Sequence, residues 1–238
     1  MVAQKAFRFQ TFFLATTYAQ IFFAFTLNWV ANIIKARPMQ IPDGLDNELK
    51  KLWASLSELH HGCRDYTRRK HNRINPWYED LFDWKERGAY WTREDKDITI
   101  YNSATLIGDV EIGAHTWIGP FCLLDGGGGL IVGRYCSIST GCQLLTHDTV
   151  NWALSGGKMP SEYASSRIGD CCFLGSHAIV TKGVRIGNHC LIGAGAVVTK
   201  DVADFTIAAG VPARAIGKVE LDSDGKVHLV YGLPARRK

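Results

Sequence analysis

A six-residue period in aliphatic residues governs the second half of the chain. The period pauses twice, at a glycine run after Leu124 and over a longer gap after Leu144. Its members are Ile100, Leu106, Ile112, Ile118, Leu124, Val132, Ile138, Leu144, Ile168, Leu174, Val180, Ile186, Ile192 and Val198. A period of six fits neither the 3.6-residue turn of an α-helix nor the period of two of a long strand. It predicts short strands separated by tight corners, stacked into a solenoid.

A second series, of small residues, lies two positions before the aliphatic one. It comprises Val110, Thr116, Cys122, Cys136, Cys142, Cys172, Ala178, Val184, Cys190 and Ala196. Residues two apart in a strand share a face, so both series are expected to point inward. Most of the cysteines are then small interior fillers rather than disulfide partners or metal ligands, and free thiols indicate a reducing, cytoplasmic setting. Glycine often follows the aliphatic position, as at Gly113 and Gly119, and we attribute this to the backbone angles of tight corners.

The first 95 residues lack the hexads and are predicted to form a helical capping region. Residues 9–34 carry no charge and are flanked by Lys5, Arg8 and Lys35, within an apolar segment 1–37. Two interpretations stay open for this run: a helix packed on protein or lying on a membrane surface, and a true span. Its glutamines and asparagines favour the first. No small-residue cleavage site follows, so a secretory signal is not expected.

Residues 45–85 are predicted to be helical, and residues 219–238 to form a closing hairpin and a basic tail. Leucines at helical spacing form one apolar face: Leu45, Leu49, Leu52, Leu56 and Leu59. Phe82, Trp84, Tyr90 and Trp91 then form an aromatic cluster that we expect to cover the first coil. At the other end, Lys218–Leu221 and Lys226–Val230 flank a turn-rich tetrapeptide, the pattern of a β-hairpin.

The net formal charge of +4 is spread along the chain and forms no concentrated basic face. A nucleic-acid-binding protein is therefore not expected. The charge does leave room for a phosphorylated cofactor or substrate.

Residues 98–218 resemble the hexapeptide-repeat acyltransferases. The resemblance rests on the hexads, on the interruption that bears His147, and on the closing stretch from Ala209 to Arg214. Within that superfamily the chain is most similar to the maltose, galactoside and polysaccharide acetyltransferases of bacteria, and Leu144–Asp148 to members from surface-polysaccharide pathways. The resemblance implies a mainly β fold, a left-handed parallel β-helix. It also implies a homotrimer with sites between subunits, acetyl-CoA as co-substrate and no metal.

The resemblance further implies that His147, in the interrupting loop, is the catalytic base. Counting three hexads to a coil places Leu124 and Leu144 at the same corner of adjacent coils. Asp125 then lies one strand spacing, about 4.8 Å, from the His147 edge, where its carboxylate can orient the imidazole. Asp148 is the competing orienter.

The loop at residues 146–167 and the glycine run Gly126–Gly129 are predicted to shape the acceptor site. Loops of this length in a compact repeat usually have a function. Trp152 is either a stacking face for a sugar ring or a structural aromatic, and the glycine run is interpreted as a bulge that gives the acceptor room. Gly119–Cys122 lacks the asparagine that maltose-type enzymes carry before the aspartate, so we expect different acceptor contacts.

The acetyl-CoA site is predicted in a groove between subunits. Small residues that would admit the pantetheine arm are Gly175, Ser176, Gly193 and Ala194. A backbone N–H near Gly175 is the candidate oxyanion donor. Lys200 and Arg214 are candidates for pairing with the 3′-phosphate, with ordinary surface cations as the alternative.

These observations predict a cytoplasmic acetyltransferase, with association with the inner membrane left open, acting on a sugar hydroxyl in surface-polysaccharide biosynthesis. Acetylation of the amine of a nucleotide-linked aminosugar is the alternative, and a non-catalytic trimeric scaffold is the alternative from another class. A γ-class carbonic anhydrase shares the expected architecture, but its pair of histidines five residues apart does not occur in this sequence.

Overall fold

The computed structural model describes residues 41–81 and 83–232 of the chain. The chain divides into two compact units, Met1–Ile74 and Asn75–Lys238. In the first, helix α1 (Asn47–His71) begins at Asp46, whose carboxylate accepts the Leu49 N–H at 2.9 Å. The predicted leucine face of this helix is exposed: 46% at Leu49 and 55% at Leu52.

No helix within residues 41–81 and 83–232 is long and apolar enough to cross a bilayer. The uncharged run 9–34 lies outside these ranges, and so does Phe82 of the aromatic cluster. The membrane association of residues 9–34 therefore stays a prediction.

The second unit is a solenoid of short strands with two short helices and one 3₁₀ turn. The 3₁₀ turn is Trp77–Glu79, and the helices are α2 (Trp84–Thr92) and α3 (Val150–Leu154). The strands are β1 (Thr99–Ile100), β2 (Thr105–Ile112), β3 (Trp117–Ile118), β4 (Leu123–Val132), β5 (Ser137–Ile138), β6 (Gln143–Leu144), β7 (His147–Asp148), β8 (Glu162–Tyr163), β9 (Ser166–Ile168), β10 (Phe173–Leu174), β11 (Ile179–Val180), β12 (Arg185–Ile186), β13 (Leu191–Ile192), β14 (Val197–Val198), β15 (Thr206–Ala209), β16 (Arg214–Leu221) and β17 (Val227–Tyr231).

The aliphatic series stacks into three columns of parallel pairs, which define three faces of the solenoid. Face A is Ile100, Ile118, Ile138, Leu174, Ile192 and Ala208. Face B is Leu106, Leu124, Leu144, Val180 and Val198. Face C is Ile112, Val132, Ile168, Ile186 and Val202. Three hexads therefore make one coil, and the predicted parallel β-helix is confirmed.

The interior is filled by the two predicted series. The face-A, face-B and face-C side chains are nearly all buried, and so are the five cysteines of the small series, at 0–2% exposure. Their thiols donate to carbonyls of the next coil, as from Cys136 Sγ to the Gly169 oxygen at 3.1 Å. The structural role predicted for these cysteines is confirmed.

The explanation given above for the repeated glycines is wrong. Those that follow the aliphatic positions are absent from the positive-φ glycines of the described residues. They are needed because coils approach closely: a Cβ on Gly113 would lie 2.5 Å from the Arg134 nitrogen. The left-handed conformation occurs three residues after the aliphatic position instead, as at His115 (φ 59°) and Tyr135 (φ 55°).

The first coil is closed by side chains from the segment that precedes it. Buried Glu79 accepts the N–H groups of Asn102 at 2.9 Å and Ser103 at 2.6 Å, which an open coil end would leave unpaired. Trp91 donates its indole N–H to the Val110 carbonyl at 3.0 Å. Tyr90 is 80% exposed and takes no part in this cap.

At the far end, β16 and β17 form the predicted antiparallel hairpin, which continues the face-A sheet beyond β15.

Candidate active site

Asp125 and His147 meet at one corner of the solenoid. Asp125 follows Leu124 on face B, and His147 opens the loop that leaves the next coil after Leu144. The His147 Nδ1 atom lies 2.6 Å from the Asp125 Oδ2 atom, a short charge-assisted hydrogen bond. We call this corner, between faces B and C, corner BC. Of the two carboxylates considered, Asp125 is the one that contacts the imidazole through Nδ1.

The Asp125 carboxylate is buried, at 2% exposure, and saturated with donors. Its Oδ1 atom accepts the Gly127 N–H and its Oδ2 atom the Thr146 N–H, both at 3.0 Å. Burial alone raises the pKa of this carboxyl, but the two N–H donors and His147 outweigh it, so the net pKa of Asp125 is lowered. The group is therefore an anion that accepts a hydrogen bond from Nδ1–H, which leaves the Nε2 lone pair free to accept another proton.

The imidazole stacks on an aromatic ring, and Gly127 lies close to both. The His147 ring centroid lies 5.4 Å from that of Tyr163, with 18° between the planes. A Cβ on Gly127 would lie 3.2 Å from Asp125 Oδ1 and 3.5 Å from His147 Nδ1. The His147 side chain keeps 40% exposure, so the imidazole is fixed on its inner side and open on its outer side.

The glycine run forms a bulge beside this pair. Gly108 pairs with Gly126 and Val110 with Leu130, so Gly127–Gly129 oppose the single residue Asp109. The bulge places the Gly128 N–H 2.7 Å from the Thr146 hydroxyl, which in turn donates to the Asp125 carbonyl at 2.8 Å. The predicted bulge exists, and it builds the wall around Asp125.

Burial distinguishes this pair from two other His–Asp contacts in the described part of the chain. His115 lies 3.2 Å from Asp97, whose side chain is 49% exposed. His228 lies 3.0 Å from Asp222, at 38%. The Asp125 side chain is 3% exposed. An exposed carboxylate is screened by water, so it orients an imidazole weakly.

Asp148 has a different role. Its carboxylate accepts the Val150 N–H at 3.1 Å and lies 2.8 Å from Lys182 Nζ. The hydrogen bond from Lys182 is the main reason why the pKa of Asp148 is lowered. Lys182 also pairs with Glu162, and Glu162 accepts a hydrogen bond from Asn151.

The interrupting loop carries two exposed aromatic side chains. Trp152, on α3, is 52% exposed, and Tyr163, on β8, is 61% exposed. The loop returns to the solenoid at β9, where Ser166 donates to the Leu145 carbonyl at 2.9 Å.

The predicted acetyl-CoA residues lie at a second corner. Gly175 and Gly193 follow face-A positions on successive coils, with Ser176 and Ala194 beside them; we call this corner AB. A Cβ on Gly175 would lie 2.5 Å from the Ala194 nitrogen. The Gly175 N–H itself donates to the Ile192 carbonyl at 2.8 Å, so an oxyanion donor in this region would be a neighbouring N–H, which stays a prediction.

The two candidate phosphate partners are exposed cations. Lys200 follows Val198 at corner BC, on the same edge as His147. Arg214 opens β16 and donates to the Ala213 carbonyl at 2.8 Å. Neither is part of the Asp125–His147 contact.

Within the described ranges, no three His, Cys, Asp or Glu side chains are grouped so as to hold a metal ion. The arrangement at corner BC is chemically a positioned base with an ionised, buried partner.

The fold is a hexapeptide-repeat β-solenoid, and corner BC carries a histidine paired with a buried carboxylate. Residues 165–200 match the bacterial transferase hexapeptide (six repeats) family. A hexapeptide-repeat-containing acetyltransferase from Vibrio cholerae is 19% identical, with a TM-score of 0.51 over 69% of this chain and 93% of that one. The resemblance to the hexapeptide-repeat acyltransferases is thereby confirmed for the repeat and the fold.

Two other solved structures are more distant in fold. AntD, an N-acyltransferase from Bacillus cereus in complex with dTDP and 3-hydroxybutyryl-CoA, is 26% identical, with a TM-score of 0.47 over 51% of this chain and 69% of that one. A maltose O-acetyltransferase from Clostridium difficile is 22% identical, with a TM-score of 0.44 over 70% and 89%. No curated protein sequence matches the chain significantly.

Proposed function

We propose that the chain is an acetyl-CoA-dependent acetyltransferase that acetylates a sugar hydroxyl, with His147 as general base. The observation that carries this proposal is the 2.6 Å contact between an exposed imidazole and a buried, ionised Asp125. A buried anion that accepts from Nδ1 holds the imidazole in one orientation and prepares it to take a proton at Nε2. The hexapeptide match supports the transferase class.

In the proposed reaction, His147 Nε2 removes the proton of the acceptor hydroxyl while the hydroxyl oxygen attacks the thioester carbonyl of acetyl-CoA. The C–S bond then breaks, and the imidazolium returns its proton to the thiolate, giving CoA and the acetyl ester. Nδ1 keeps its proton throughout and donates it in a hydrogen bond to Asp125, whose carboxylate stabilises the imidazolium. Tyr163, which stacks on His147, and Trp152, elsewhere in the same loop, are exposed aromatic side chains suited to contact a sugar ring.

We further propose that the complete site needs a neighbouring subunit. The base lies at corner BC, whereas the small residues proposed for the pantetheine arm lie at corner AB, with face B between them. The outward row of face B carries no charge: Thr105, Leu123, Gln143, Ile179 and Val197. Uncharged surface of this kind suits a subunit interface, and a homotrimer would bring corner BC of one subunit beside corner AB of the next.

The test is acetyl transfer by a His147→Ala variant, with labelled acetyl-CoA and a panel of glycans, nucleotide sugars and aminosugars. Loss of the general base should lower kcat about a hundredfold or more, with unchanged oligomer size. His115→Ala is the matched control, since it removes another corner imidazole paired with an aspartate. Turnover by the His147 variant within threefold of the parent would overturn the proposal, and transfer to amines alone would replace the hydroxyl by the amine as acceptor.

A further inference from the structure

Asp148 and Glu162 bring two negative charges together in the loop that carries the base. They are register partners in the antiparallel ribbon of β7 and β8, next to the pair His147 and Tyr163. Like charges directly opposite in a strand pair destabilise it. A ribbon of only two residue pairs is sensitive to such repulsion, because isolated two-stranded ribbons are marginal in water.

Lys182 compensates both charges from the solenoid. Its ammonium group lies 2.8 Å from Asp148 Oδ2 and is ion-paired with Glu162 Oε2. The lysine follows Val180 on face B, so its backbone belongs to the coil after the one from which the loop leaves. Its side chain keeps 21% exposure, about a third of the 65% of Lys85, another ion-paired lysine.

The ribbon geometry transmits this contact to the base. Successive side chains of a strand point to opposite sides, so Asp148 and Glu162 lie on one side of the ribbon and His147 and Tyr163 on the other. Holding Asp148 and Glu162 together therefore fixes the spacing of the two strands. At this spacing the His147 and Tyr163 rings stack, with 5.4 Å between their centroids. The backbone bond from the Ala164 N–H to the Thr146 carbonyl, 2.9 Å, completes the closed ribbon.

We propose that Lys182 is a positioning residue that closes the β7–β8 ribbon and thereby holds His147 against Asp125 and Tyr163. This inference rests on the proposed function for its catalytic consequence, but not for the closure itself. Lys182 contacts no reacting atom of the proposed reaction. It acts through the carboxylates of Asp148 and Glu162.

The first experiment compares Lys182→Met with the parent by steady-state kinetics. A base displaced by about 1 Å can lose a hundredfold in rate, and we expect a fall of at least tenfold in kcat with KM for acetyl-CoA within twofold. Lys182→Arg should retain most of kcat, because a guanidinium can pair with both carboxylates. Lys226→Met, a change at an exposed hairpin lysine, should leave kcat unchanged.

Charge compensation is tested by the double variant Lys182→Met/Glu162→Gln. With one carboxylate removed the repulsion disappears, so the double variant should recover to within about threefold of the parent, and a mere loss of packing would not be rescued in this way. A double variant no more active than Lys182→Met would overturn the mechanism, as would unchanged kcat in Lys182→Met itself.

Amide exchange separates this inference from the proposed function. In the substrate-free protein, the Ala164 amide should exchange at least tenfold faster in Lys182→Met and at the parental rate in the double variant. Full turnover by His147→Ala would refute the assignment of the base. The exchange result would still decide whether Lys182 closes the ribbon. Parental exchange in Lys182→Met would overturn the inference whatever the activity.

Discussion

Replacing Asp125 by asparagine tests the central contact most directly. The carboxylate accepts the Gly127 N–H at Oδ1, and the Thr146 N–H and His147 Nδ1 at Oδ2. An amide has one acceptor oxygen, so in either orientation its NH₂ group faces at least one N–H donor in a buried site. A buried donor left unpaired costs about 1–3 kcal/mol. We therefore expect the free energy of unfolding to fall by about 1–3 kcal/mol.

The catalytic effect of Asp125→Asn should exceed its effect on stability. If the NH₂ group faces Nδ1, it favours the tautomer with its proton on Nε2, which cannot act as the base. If the amide oxygen faces Nδ1, the tautomer is kept but the negative charge that stabilises the imidazolium is lost. General-base catalysis is worth about 10²–10⁴-fold, so we expect kcat to fall on the order of a thousandfold. Release of CoA, followed with a thiol reagent, measures kcat, and urea unfolding measures stability. A variant with kcat within threefold of the parent would refute the assigned role of Asp125.

The stability difference should also depend on pH. The folded-state pKa of Asp125 lies below its ordinary value of 3.8. A carboxyl with a depressed folded-state pKa contributes stability that is present above the unfolded pKa and is lost as the pH falls through the folded one. The gap between parent and Asp125→Asn should therefore be full at pH 7 and shrink below about pH 4.

Three further substitutions test neighbouring features. Gly127→Ala places a methyl group 3.2 Å from Asp125 Oδ1, so we expect kcat to fall about tenfold with the fold retained in circular dichroism; parental kcat would show that the loop yields. Tyr163→Ala should lower kcat several-fold whereas Tyr163→Phe keeps it, because the ring rather than the hydroxyl stacks on His147; equal effects would contradict this. Glu79→Gln should cost about 1–3 kcal/mol in urea unfolding without changing kcat, since two N–H groups of the first coil rely on its buried carboxylate.

Periodicity explains which parts of this structure the sequence could predict. The hexads determine which residue stacks on which, so the Leu124–Leu144 register and the approach of Asp125 to the His147 edge followed from counting alone. The interior cysteines followed in the same way.

Features outside the period were not predicted. The stacking of Tyr163 on His147 and the ion pair of Lys182 with Asp148 depend on the path of the interrupting loop. No repeat sets the register of that loop. The repeated glycines were explained wrongly because a sequence shows only that these positions lack a side chain. It does not show whether the side chain is excluded by the backbone dihedral angles or by the close approach of the next coil. The sequence likewise did not show that the Gly175 N–H belongs to the hydrogen-bond ladder between coils.

The Asp125–His147 contact joins two adjacent coils, which limits how the molecule can change length. A repeat architecture grows or shrinks by whole turns, since each added turn only reproduces the stacking of its neighbours. A turn added beyond Ile192 would leave the base and its carboxylate untouched. One inserted between Asp125 and Leu144 would move them apart by a strand spacing of about 4.8 Å, beyond hydrogen-bonding reach. Lineages or designs that vary the number of turns should therefore keep this joint intact.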